Sequence, residues 1–250
     1  MLRGVSRVAG LIGVLPLFFN DPLSAQERFD ISVYPYATAH RGEWEFEGHV
    51  NYTSRGTSSF DGTVAPTDEQ WRFMAEVTRG ITDHFELGAY LLGAQVPGMG
   101  FEYAGWRLRS RVRAPESWGL PVNVGFSAEY ENAQPAFSES AHTAELTAIV
   151  ERRFGIVQLI ADPTFERDLN GPGHEWEFEP RARTAVDVTK KVTFGFEYYG
   201  VFEDAAQKHQ YYPTVDVRLS DDTNLHFGVG FGGVNVGDRL VFKTRLEIEQ

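Results

Sequence analysis

The sequence predicts an all-β protein, specifically an antiparallel, up-and-down transmembrane β-barrel of about twelve strands. Three observations lead there. Apolar and polar residues alternate strictly in twelve successive segments, short turns alternate with longer loops between them, and the chain opens on an export signal but has no spanning helix. The chain has 250 residues, 42% hydrophobic and 23% charged, which is ordinary for a folded protein and excludes disorder throughout. Its longest apolar run, Val8 to Phe19, has 12 residues and contains Pro16, short of the roughly 18 a membrane helix needs.

Arg3 and Arg7 precede that run, and Leu23, Ser24 and Ala25 follow it, an order that describes a secretory signal peptide over residues 1–25 cleaved after Ala25. Gly10, Gly13 and Pro16 argue against a buried helix there. Residues 26–42 are expected to be a periplasmic lead-in, and residues 43–250 the barrel.

Each barrel segment carries one apolar and one polar face, the period of a strand. The first sets Trp44, Phe46, Val50 and Tyr52 against Glu43, Glu45, Glu47, His49 and Asn51. The second sets Trp71, Phe73, Ala75 and Val77 against Arg72, Met74, Glu76 and Thr78. The apolar faces of the next four are Phe85 to Leu91, Ala104 to Val112, Val122 to Tyr130 and Ala144 to Val150, taken at every second residue. Val157, Leu159, Ala161 and Phe165 form the seventh and Trp176, Phe178, Ala182 and Val186 the eighth. Val192 to Tyr198, Tyr211 to Leu219, Leu225 to Phe231 and Leu240 to Ile248 complete the set.

The connections near residues 82–84, 116–120, 154–155, 189–191 and 220–224 are short. Those at 53–68, 93–100, 132–140, 168–173, 201–209 and 233–238 are mostly longer and rich in Gly, Pro, Asp and Asn. Short turns on one rim and longer loops on the other describe an outer-membrane barrel of a Gram-negative bacterium. Trp44, Tyr52, Trp71, Trp106, Tyr130, Trp176, Tyr198 and Tyr211 fall near segment ends on the apolar parity, where aromatic girdles sit. A soluble sandwich also alternates, but about eight strands already give an interior just filled by side chains, so twelve place the apolar face outward. Arg79 and Arg152 break the outward parity, each close to a short turn where a long side chain reaches the headgroups.

The stretch Arg79-Gly80-Ile81-Thr82-Asp83-His84-Phe85-Glu86-Leu87-Gly88 resembles a hairpin of outer-membrane barrels of the phenol-degradation meta-pathway type. Residues 37–47 are similar to the first-strand approach of such transporter-like barrels. The resemblance implies fold and location, with outer-membrane lipid and the barrel-assembly machinery as partners. Such barrels usually finish on an aromatic residue, whereas this chain finishes on Gln250.

On the inward face Arg107, Arg109, Arg111 and Arg113 form a ladder about 20 Å long at 3.3 Å per residue. Pairing across the following turn is expected to set Arg107 near Glu129, Arg109 near Ser127 and Arg111 near Gly125. Two readings stand side by side: a track that guides carboxylate or phosphate groups, or a salt-bridge lattice with glutamates that fills the lumen. Together with Glu129, Glu45, Glu47 and Glu177 these arginines are the candidate lumen residues, and acids outnumber bases on that face, so an open pore is expected to prefer cations. Gly228, Gly230 and Gly232 leave the eleventh segment nearly bare inside, as the widest part of a passage or as room for facing side chains.

The function expected is passage or binding of small polar or charged solutes, without catalysis, cofactor or metal. The chain has no cysteine, which removes disulfides and thiolate sites. Its basic residues, 23 against 35 acidic, form no run that tracks a phosphate backbone, so nucleic acid is not expected as a partner. Ser140 and His142 are the one close pair that suggests a lipid hydrolase, with no Asn or Asp evidently placed to orient them. Asp168, Asn170 and His174 offer metal-ligand types, but an Asp-Asn-Gly loop reads first as a turn.

Overall fold

The computed structural model describes residues 29–58, 64–170, 176–202, 207–233 and 235–250. The expected signal peptide and His174 lie outside them. Fourteen strand segments follow one another: β1 (Trp44–Arg55), β2 (Gln70–Thr82), β3 (Phe85–Val96), β4 (Gly100–Arg113), β5 (Asn123–Ala133), β6 (His142–Phe154) and β7 (Val157–Asp162). Then come β8 (Thr164–Asp168), β9 (Trp176–Phe178), β10 (Arg181–Asp187), β11 (Val192–Phe202), β12 (Gln207–Arg218), β13 (Thr223–Gly232) and β14 (Leu240–Glu249). Pro163 separates β7 from β8, and Glu179-Pro180 separates β9 from β10. Proline has no N–H for the ladder, so each pair is a single wall interrupted once, and the walls number twelve.

All neighbours pair antiparallel. β1 bonds to both β2 and β14, and β10 bonds to both β7 and β11, which closes the barrel. At the seam Trp44 and Gln250 exchange both backbone hydrogen bonds at 2.8 Å, so the non-aromatic last residue is still held in the sheet.

Burial is the reverse of a soluble barrel. Leu91, Phe101, Leu108, Phe194, Phe196 and Phe231 are exposed outside, whereas Glu86, Arg107, Arg109, Glu145 and Glu197 are buried inside. Apolar residues outside and charge inside fit a surrounding of lipid. Tyr52 stacks on Trp71 at 4.6 Å and Trp106 lies 5.5 Å from Tyr130, which places a girdle toward the long-loop rim. Arg79 lies over Trp44 at 4.6 Å and Arg152 over Phe154 at 5.1 Å, both facing outward near the short turns as expected. Leu108, in the middle of β4 between Ala89 and Tyr130, tests this polarity. Leu108→Arg is expected to cost about 2–4 kcal/mol at mid-membrane, measured as a lower temperature for losing the fast-migrating folded band in unheated gels.

Three details differ from the sequence-based expectation. The connection at 93–100 is only a turn, because β3 runs to Val96 and β4 starts at Gly100, with Gly98 and Gly100 at φ +80° and +95°. The β4–β5 connection contains a 3-10 turn, Glu116–Trp118, that moves the hairpin centre by one residue. Arg107, Arg109 and Arg111 therefore face Glu131, Glu129 and Ser127 in the backbone register, each two positions beyond the expected partner, and Arg113 faces Gly125.

The third difference concerns residues 29–42. In place of the expected periplasmic lead-in, residues 29–34 and the side chains of Tyr36, Thr38 and Ala39 are buried inside the barrel. The segment is extended, makes no strand ladder, and at about 3.3 Å per residue its eleven positions 29–39 reach roughly 33 Å. It enters at the short-turn rim, where a Cβ on Gly80 would come within 1.9 Å of the His40 carbonyl oxygen. Only glycine leaves room for that passage. At the far end Phe29 joins Ala65, Met74, Tyr90, Leu92, Ala94, Val96, Ala104 and Phe137, an apolar cap beneath the long loops.

Candidate functional site

The lumen is built around the arginine ladder of β4, whose four guanidiniums project inward because alternate residues share a strand face. Each is paired with a carboxylate. Arg107 reaches Glu129 at 3.3 Å, Glu131 at 2.5 Å and Asp30 at 3.8 Å. Arg109 reaches Glu76 at 2.6 Å and Glu86 at 3.1 Å, and Arg111 reaches Glu86 at 2.7 Å. Arg113, at the short-turn end, meets the exposed Glu116 at 2.5 Å. The Glu116 carboxyl is held below its ordinary range first by a backbone N–H and then by that guanidinium. A second lattice crosses the opposite wall, where Glu197 pairs with Lys243 and Arg183, and Asp216 with Arg183 and His226.

The N-terminal segment completes this arrangement. Its even-numbered side chains face the ladder: Asp30 meets Arg107, the Tyr34 ring lies 5.3 Å from Arg109 and 5.8 Å from Arg111, and Tyr36 lies 5.2 Å from Arg113. Thr38 accepts a 3.0 Å hydrogen bond from Arg113. Odd positions Ile31 and Val33 pack with Ile160, Tyr199, Tyr212 and Val241. The main chain is held as well: Tyr34, Tyr36 and Ala39 donate their N–H groups to Asp162, Glu151 and Glu86 at 2.7, 2.9 and 2.7 Å. The carbonyls of Phe29 and Ile31 accept from Asn51 at 2.8 Å and Lys243 at 2.9 Å.

The two ends of the lumen differ. At the long-loop end Asp238 folds inward to meet Arg72 at 3.3 Å and Thr67, and Ala65 bonds to Ala136 across the loops. At the short-turn end, on the side away from the ladder, Asp216 is 24% and Glu247 21% exposed, against 0% for Glu86 beside the segment. The partly exposed side chains on that rim outline a vestibule, whereas the wall beside the segment is closed off.

Of the other candidate residues, Glu45 and Glu47 line the vestibule side. Glu47 accepts from His49 at 2.9 Å and faces Arg245 at 3.5 Å. Glu177 is not brought to the ladder: it lies exposed on β9 opposite Glu166. Glu47, His49 and Glu76 hold their ligand-type atoms within 4.8 Å of one another, but the carboxylates already face Arg245 and Arg109. The inner glycines of β13 are room for side chains, since a Cβ on Gly230 would meet the Tyr212 ring at 2.2 Å and one on Gly228 would meet Lys243 at 2.8 Å. Ser140 donates to the backbone carbonyl of His142 at 2.9 Å, while the imidazole Nδ1 pairs with the Tyr130 hydroxyl at 2.5 Å. The serine hydroxyl is thus not aligned on the imidazole, although, contrary to the sequence-based expectation, an amide lies beside the pair, with Asn132 Nδ2 at 3.3 Å from the same Nδ1.

Similarity to solved structures matches this architecture. The COG4313 outer membrane channel from Pseudomonas putida F1 superposes with a TM-score of 0.54 at 11% identity, over 88% of this chain and 100% of that one. The fold is an outer-membrane β-barrel fold. The KdgM porin in complex with disordered oligogalacturonate gives a TM-score of 0.53 at 9% identity, over 83% and 97% of the two chains. The NanC porin gives 0.52 at 8%, over 82% and 98%. No family model matches the chain, and no curated protein matches it by sequence.

Residues 29–39, which the sequence reading assigned to a periplasmic lead-in, lie in the lumen instead. A signal for them was present, because Phe29, Ile31 and Val33 alternate with Asp30 and Ser32 in the manner of the barrel strands.

Proposed function

We propose that this chain is a Gram-negative outer-membrane channel for small polar or charged solutes, held shut by its own N-terminal segment. The observation that carries the reading is the extended segment 29–39 lying along a charged wall inside a barrel that closes without it. The vestibule on the short-turn rim gives solutes access up to that segment, and the likeness to a channel and two porins supports passage as the activity. The Arg79–Gly88 hairpin supports kinship with phenol-degradation meta-pathway barrels. Lipid surrounds the apolar belt, and the assembly machinery is the expected folding partner. The reading is non-enzymatic, and the Ser140 geometry supports that choice.

One observation favours a second reading, a structural barrel with a permanently filled lumen: every ladder arginine already has a carboxylate partner. Planar-bilayer recording separates the two. The channel reading expects rare, brief current steps from the full chain and sustained steps once the segment has been severed at the short-turn rim and removed. Silence from both preparations, each verified as folded by heat-dependent gel migration, leaves only the structural barrel.

A further inference from the structure

We propose that the lumen is a receptor site for an extended peptide, and that residues 29–39 are its tethered occupant, in a seat that also takes a separate peptide of the same alternating pattern. The segment contributes nothing to barrel closure, because β1 has its full complement of neighbours in β2 and β14. It is a ligand joined to its receptor through residues 40–43.

Its recognition has the form by which proteins bind strand-like peptides, with alternate side chains in two different surroundings and the main chain held through donors and acceptors. One face reads an acid and two tyrosines, through Arg107 on Asp30, Arg109 and Arg111 on Tyr34, and Arg113 on Tyr36. The other reads aliphatic residues at 31 and 33. Between them Asp162, Glu151 and Glu86 each accept a main-chain N–H, and Lys243 and Asn51 each donate to a carbonyl.

This set of partners selects a chemical class. A linear polyamine supplies N–H donors to the three carboxylates, but it has no carbonyl for Lys243 or Asn51 and no side chain for Tyr199 and Tyr212. A sugar brings no apolar face at this spacing. A peptide makes all of these contacts at once, and each contact that another ligand lacks is a loss of binding. The tether holds the native segment at an effective concentration in the millimolar range, so an untethered peptide competes only after release or with high affinity.

The test places a protease site at residues 41–42, where the chain is exposed on the short-turn rim, in the otherwise intact protein. After folding in detergent and cutting, a fluorescent peptide with the sequence of residues 29–39 is added and its anisotropy followed. Saturable binding of one peptide per barrel is expected. A peptide N-methylated at the positions of Tyr34, Tyr36 and Ala39, and one with Asp30→Ala and Tyr34→Ala, are each expected to bind at least tenfold more weakly, and spermine is expected not to compete. Equal binding of the N-methylated peptide, or displacement by spermine, overturns the proposal. If the cut segment does not exchange, the cut chain is unfolded in urea, the freed segment removed, and the barrel refolded with the labelled peptide. Folded barrels that then carry no peptide overturn it as well. Binding is read without current, so a barrel freed of its segment that stays silent yet binds the added peptide counts against the channel reading alone, and current from that freed barrel without peptide binding counts against this proposal alone.

Discussion

Arg109→Ala is expected to destabilise the barrel by about 3–5 kcal/mol, the usual cost of removing one partner from a buried ion pair. Arg109 is 4% exposed and stands between Glu76 at 2.6 Å and Glu86 at 3.1 Å. Arg111 still neutralises Glu86 in the variant, but Glu76 is left with the Thr78 hydroxyl at 2.7 Å as its hydrogen-bond donor. The variant also loses the guanidinium over Tyr34 and Tyr90. The change is measured as a fall in the temperature at which unheated samples lose their fast-migrating band, with Arg152→Ala on the outer surface as a control that moves it little. Replacing all four ladder arginines costs less than four times as much, because Arg109 and Arg111 share Glu86 and the effects are not additive. An Arg109→Ala barrel with unchanged stability contradicts a dry, paired lumen and implies water around Glu76 and Glu86.

The sequence made the walls legible and left their contents unread, and the physical reason differs from part to part. Alternation is a local property, so the inward set Arg107, Arg109, Arg111 and Arg113 and the outward set Leu108, Ser110 and Val112 follow from position alone. Register depends on turn geometry, and the 3-10 turn at Glu116–Trp118 goes with a backbone register two residues beyond the expected one, although the Arg107 side chain still reaches the expected Glu129 at 3.3 Å. Partners across the lumen, such as Lys243 with Glu197, depend on the closure of the whole barrel and leave no trace in local spacing. Residues 29–33 alternate like a strand, but Pro35 interrupts the segment and sets it apart from the hairpin series. Beyond that proline, nothing local distinguishes a strand that pairs in the wall from one that lies within it.

Release of the segment is expected to convert a nearly silent barrel into a conducting one that prefers cations at low salt. Withdrawal of the N–H groups of Tyr34, Tyr36 and Ala39 returns the carboxylates of Asp162, Glu151 and Glu86 toward water, while Arg109 and Arg111 stay beside Glu86. Acids already line the vestibule at Glu45, Glu47, Asp216 and Glu247. Asp30 leaves with the segment, so one acid is lost from the side of Arg107, but Glu129 and Glu131 remain there to balance it. The reversal potential in a salt gradient is therefore expected on the cation side near 0.01 M, where charges act over about 30 Å, and closer to zero near 1 M, where they act over about 3 Å. Asp162→Asn combined with Glu151→Gln is expected to reduce the preference without closing the pore, since both amides still accept hydrogen bonds but carry no charge. Anion preference in the severed barrel contradicts this account, because it requires the ladder arginines to separate from Glu76, Glu86 and Glu129 and present unneutralised positive charge along the path.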